Sequence, residues 1–298
     1  MNFRAKKITA KAWYLTQSNK QLWKFGFIAS LFSILVGGSY IFYQVNAFKN
    51  SKIFGGQNSF RNTFSKILEI RETHPQIFYW AFAFACFVFL GYLIIPIFCS
   101  GSLTHLIGKI YKKKTAKHGI SKAIFQFLPL MEISALKSSL KPISFFTEFS
   151  FIIRNIGVNA AKLLAPVLIL FLILGIFLLF FFVFTTPLII LEKNNFSESL
   201  KNSSKLVLKN MGTTISLFLI FILIELRVVI NVLLIVLLPI TFLAVSAFFT
   251  QIFLQTTGII IAFIVAILLI ILAAFLTGIL YVFSHAIWTI ACIEFNES

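Results

Sequence analysis

The chain contains no aspartate, and its nine acidic residues, all glutamate, stand against 26 lysines and arginines. Without Asp there is no aspartate pair and no Asp-anchored nucleophilic triad. The patterns HExxH, GxSxG and a Gly-rich phosphate loop ending in GK[ST] are missing too, which removes the common zinc-peptidase, serine-hydrolase and P-loop chemistries. No catalytic residue and no cofactor is expected. Cysteine is scarce: Cys86, Cys99 and Cys292 have no CxxC spacing, so neither a disulfide framework nor a zinc site is expected. Charged residues make up only 12% of the 298 positions, about half the share usual in a soluble domain.

What fills that space is apolar. Hydrophobic residues account for 59% of the chain, 38 of them Phe, and they come in unbroken runs rather than at the spacing of a soluble core. Burial must then be in lipid. The net charge of +17 has no folded basic module to serve nucleic-acid binding, so the cations are expected to flank membrane spans and meet anionic headgroups.

A span needs about 20 mainly apolar residues. Residues 25–47, 77–99, 163–186 and 259–283 qualify directly. The 23-residue run 25–47 follows Arg4, Lys6, Lys7 and Lys11 and is longer than a signal-peptide core, so it reads as an uncleaved anchor. The stretch 212–250 is too long for one crossing, and a hairpin fits better, with arms 207–224 and 230–250. The expectation is an all-α polytopic bundle of about six spans in a single membrane domain, with amphipathic helices at the interface. Residues 100–162 form a basic amphipathic connection that Pro129 and Pro142 should break into pieces. Lys and Arg counts put both termini and this connection in the bacterial cytoplasm and leave 193–209 outside, unless 163–191 bends at Pro187 and re-enters. "AWYLTQSNKQLW" from Ala12 and "SSKLVLKNMGTT" from Ser203 look alike, a short internal repeat of amphipathic lead-in before an apolar run.

Two groups are candidate sites. Ionisable residues within hydrocarbon are costly and mark function, which points to the polar cluster Glu225, Arg227 and Asn231; in one long helix Glu225 would lie near mid-membrane as a candidate proton or ion site, whereas in a hairpin all three are interfacial. Lys109, Lys112, Lys113, Lys114 and Lys117 are candidate contacts to anionic lipid. Ser102 and His105 share a helical face, yet no orienting group or oxyanion donor can be named for them, so interfacial packing is the simpler reading. His74 and His118 are expected in solvated connections, and His285 near Trp288 as an interfacial anchor. Small residues at Ala29, Ser33 and Gly37 and at Ala262, Ala266, Ala274 and Gly278 should let helices approach closely.

The segment "TTPLIILEKNNFSESLKNSSKLVLKNMGTTISL", with Pro187, Glu192, Ser199, Ser203 and Leu206 at its marked places, resembles the membrane domain of some glycerophosphoryl diester phosphodiesterases and of related small bacterial membrane proteins. The opening "AWYLTQSNKQLWKFGF" is similar to that family's usual beginning, whereas Ser204 stands where the family has an aromatic residue. In those enzymes the catalytic groups belong to a separate soluble barrel, for which this chain has no room. The resemblance implies a membrane scaffold and carries no active site. A non-enzymatic accessory role in lipid or envelope processes is the leading expectation, with a small transporter or channel at Glu225 and Arg227 as the rival and a lipid enzyme using His105 behind it.

Overall fold

The computed structural model describes residues 3–49, 65, 68–69, 71–114, 119–224, 226–227, 230 and 255–297. Among them there is no strand. The helices are α1 (Phe3–Ser18), α2 (Gln21–Lys49), α3 (Pro75–Tyr111), α4 (Gly119–Phe125), α5 (Phe127–Ser139), α6 (Pro142–Asn155), α7 (Val158–Phe181), α8 (Thr185–Glu192), α9 (Phe196–Lys209), α10 (Met211–Ile224) and α11 (Gln255–Asn296). Four stretches of the described residues are long and apolar enough to cross a membrane, within α2, α3, α7–α8 and α11. A fifth is reached if the bent pair α9–α10 counts as one span. The protein is an all-α polytopic bundle. Of the expected hairpin turn and the span 230–250, only Leu226, Arg227 and Ile230 are described, all helical; the rest lies outside the described residues.

The long helices outrun the bilayer. At 1.5 Å per residue, the 37 residues of α3 reach about 55 Å, against about 30 Å of hydrocarbon. Exposure shows which part projects. Trp80, Phe84, Phe87 and Leu93 are exposed apolar side chains, whereas Ile97, Cys99, Leu103 and Ile107 are buried. On α11 the same change separates Leu272 and Leu276, exposed, from a buried run beginning at Val282. One half of the bundle therefore offers bare apolar surface to lipid. The other half is packed against protein.

That packed end carries both termini. α1 lays Ala5, Ile8, Ala12 and Leu15 into a cluster with Leu103, Ile107, Phe184, Val207 and the last turns of α11. Arg4 donates to the Glu294 carbonyl at 2.9 Å and stacks over Phe295. α2 meets α11 through glycine: a Cβ on Gly278 would stand 2.6 Å from the Phe27 amide nitrogen, and one on Gly26 would collide with the Gly278 carbonyl. The small-residue stripes are used only in part for this contact. Ala29 and Ala274 are buried, but Ser33 is exposed, Gly37 has open space beside it, and the side chains of Ala262 and Ala266 lie outside the described residues.

The connection 100–162, expected as a basic amphipathic segment at the cytoplasmic face, instead packs along the bundle. α4 folds back along α3, with Gly119 against Leu106 and Ala123 against Gly101. α5 then lies across α3 and α8, burying Leu130 and Ile133 on Ile97, Ile189 and Ile190. α6 follows the far half of α2: Tyr40 bonds Thr147, Ser150 donates to Gln44 at 3.2 Å, and Arg154 covers the Tyr43 ring. The chain has thus travelled from the packed end to the opposite one. It turns at Gly157, whose φ of +118° favours glycine, and α7 brings it back. The breaks fall at Gln126 and at Leu140–Lys141, just ahead of Pro129 and Pro142 in each following first turn, where proline is tolerated. Interleaved apolar residues suit helix packing as well as a headgroup plane, and periodicity cannot separate the two.

Consequently α8 and α9 return to the packed end, where Asn296 donates to Glu192 and Arg4 reaches Asn210. Residues 193–209, placed opposite the termini by cation counting, share their face. The expected arm 207–224 is also interrupted, because α9 and α10 meet at 104° beside Asn210.

The internal repeat has a structural counterpart at that joint. In α1, Ile8, Ala12, Leu15 and Thr16 are buried; in α9, Ser199, Ser203, Leu206 and Val207 are buried, at the same spacing. Each helix ends at an Asn whose Nδ2 donates to the carbonyl four residues earlier, Asn19 to Leu15 at 3.0 Å and Asn210 to Leu206 at 3.3 Å. The extra side-chain bond competes for the carbonyls that would continue the helix, and the chain redirects into an apolar helix.

Candidate functional site

Three polar constellations sit in or at the packed end. The first joins α1, α3 and α11: Lys11 Nζ lies 2.6 Å from Glu294 Oε1, and the Tyr111 hydroxyl donates to that oxygen at 2.8 Å. Lys11 also donates to the Tyr111 oxygen at 3.0 Å. The Glu294 carboxylate and then the Tyr111 hydroxyl hold the Lys11 ammonium above its ordinary range.

The second is the break between α7 and α8. After Phe181 the helix stops and restarts at Thr185, which strands backbone groups within the protein. Ser203, fully buried on α9, supplies both missing partners. Its hydroxyl donates to the Phe181 carbonyl at 2.6 Å and accepts from the Phe184 amide at 3.1 Å. Ser199, one turn earlier and equally buried, has no hydrogen-bond partner for its hydroxyl among the described residues.

The third gathers Lys137 of α5, Thr186 of α8 and His285 of α11. Lys137 donates to Thr186 Oγ1 at 3.3 Å and acts electrostatically on His285, whose ring lies against Tyr281. No carboxylate pairs with Lys137 among the described residues. Burial, and secondarily the like charge of Lys141, push its ammonium down to about 7.

The residues singled out by sequence are distributed differently. Arg227 is helical and exposed, whereas Glu225 and Asn231 lie outside the described residues, so the three are not brought together here. Lys112, Lys113 and Lys114 are exposed at the tip of α3, about 20 Å beyond the level at which that helix becomes buried. Lys112 pairs with Glu297 at 3.3 Å, Lys109 is half-buried, and Lys117, with His118, lies outside the described residues. Ser102 is fully buried, and its hydroxyl has no hydrogen-bond partner among the described residues, His105 included. His74 stands exposed at the start of α3. α11 runs on past His285 to Asn296 as one helix, and Trp288 is buried against Phe184 and Phe221.

Sequence reading missed Lys137 and the Lys11–Tyr111–Glu294 tie. A lone Lys in an amphipathic stretch looks like any solvated cation. Partners 283 residues apart leave no local signal. No protein-family model, curated protein or solved structure matches the chain.

Proposed function

We propose that the protein is a non-enzymatic scaffold or accessory component of the bacterial cytoplasmic membrane, acting in lipid or envelope processes, with its packed end in the cytoplasm. The observation that carries this reading is the use made of polar groups at the packed end. Lys11, Tyr111, Glu294, Arg4, Asn210 and Ser203 tie α1, α3, α7, α8, α9 and α11 to one another. Such fixed contacts build a rigid head on a lipid-embedded stem.

Orientation follows the positive-inside rule applied to the observed partition. Arg4, Lys6, Lys7, Lys11, Lys20 and Lys24, the tip of α3 and the four lysines from Lys193 to Lys209 share the packed end; Arg71, Arg154 and Lys162 stand toward the other. In this reading the chain is akin to the membrane domain found in some glycerophosphoryl diester phosphodiesterases. Support comes from Ser203, a marked serine of that pattern, which has a definite task in closing the α7–α8 break.

The test is twofold. Proteoliposomes should show the same permeability to H⁺, Na⁺ and K⁺ as empty vesicles. Photo-crosslinkers at the exposed positions Lys7 and Lys205 should trap a discrete partner in native membranes. Saturable ion flux through the purified protein would replace the scaffold with the transport reading.

A further inference from the structure

Beside the Gly26–Gly278 contact, the first turns of α2 and the lipid-level part of α11 diverge and leave a groove of about 540 Å³, within the ~300–1,000 Å³ range of ligand pockets. One wall is apolar: Leu268, Ile271, Leu272 and Phe275 of α11, all exposed or half-buried, with Phe27 facing them. The other wall carries two cations one turn apart, Lys20 and Lys24, with Trp23 between them. The Trp23 indole is fixed by donating to the Thr16 carbonyl at 2.8 Å, and its ring meets Phe275 edge-on at 5.8 Å. Neither lysine is ion-paired among the described residues. The groove lies where α11 passes from exposed to buried, and its indole suits a membrane interface, where Trp is enriched.

We propose that this groove is a binding site for an anionic glycerophospholipid of the surrounding membrane. Lys20 and Lys24 hold the phosphate and any further headgroup charge. Phe27, Leu272 and Phe275 pack one acyl chain. A zwitterionic lipid offers the same chain but cancels the attraction with its own ammonium. The exposed lysines at the tip of α3 stand about 20 Å further out, beyond the ~8 Å over which salt lets such charges act.

The experiment uses the full chain with Trp13, Trp80 and Trp288 changed to Phe, leaving Trp23 as the only indole. It is reconstituted in mixed micelles and titrated with brominated-chain phosphatidylglycerol or brominated-chain phosphatidylcholine. Bromine quenches only an indole in contact with the chain. Two cations at about 1 kcal/mol each convert to a preference of about thirty-fold for the anionic lipid. That preference should fall to near unity in the K20Q/K24Q double variant, survive in K20R/K24R, and shrink with added salt. Equal quenching by the two lipids in the parent overturns the proposal, and so does a preference that persists in K20Q/K24Q. Should the Gln variant not fold, the parent's selectivity at matched chains and its loss in salt decide alone.

Discussion

Ser203 and Ser199 offer the sharpest test of the packed end, because two serines four residues apart on one helix are predicted to respond with opposite signs. Both are fully buried. In Ser203→Ala the Phe181 carbonyl and the Phe184 amide each lose the hydroxyl that satisfies them. An orphaned buried polar group costs about 1–3 kcal/mol, so the two together should cost about 2–6 kcal/mol. In Ser199→Ala the hydroxyl removed has no hydrogen-bond partner among the described residues to lose. Its desolvation was uncompensated, and the change should range from neutral to about 2 kcal/mol stabilising, the small void offsetting part of the gain. Reversible unfolding in SDS–detergent mixed micelles, followed by far-ultraviolet circular dichroism, reads both. The double variant tests additivity, since the sites share no hydrogen bond. Equal losses for the two serines, or less than about 0.5 kcal/mol for Ser203→Ala, would refute the bridging role.

Three further outcomes are expected. With Cys86, Cys99 and Cys292 replaced, single cysteines at Lys114 and Lys205 should label from the same side of the membrane and one at Lys162 from the other; labelling of Lys114 and Lys205 from opposite sides would restore the cation-counting topology. Gly278→Ala should loosen α2 from α11 by at least about 2 kcal/mol, read as a lowered melting temperature, because the new methyl meets Phe27 backbone, whereas Gly212→Ala has open space and should change little. Lys137 keeps its proton less readily when folded, at about 7 against its ordinary 10.5. Between those values the unfolded chain binds the extra proton, so stability should climb from pH 7 upward, by at most about 1.4 kcal/mol per unit, and Lys137→Met should flatten the climb. An unchanged slope in Lys137→Met would show that Lys137 is not the group behind the climb.

The sequence by itself determined the class. Apolar runs in 25–47, 77–99, 163–186 and 259–283 leave lipid as the only environment that satisfies them, and each lies in a stretch long and apolar enough to span, with 163–186 broken between α7 and α8. The joint before each of two apolar helices was also legible, since Leu15–Asn19 and Leu206–Asn210 repeat a local pattern whose physics is confined to one helical turn. Tertiary structure decided the rest. Whether 119–155 stayed at one face or ran along the bundle turned on contacts such as Ser150 with Gln44, 106 residues apart, and the side on which 193–209 lies changed with that answer. The same holds for the sites. The partners of Lys11 and Ser203, and the groove beside Gly278, come from segments that are distant in the chain, and hydrophobic periodicity, being a property of one segment at a time, carries no record of which segments will meet.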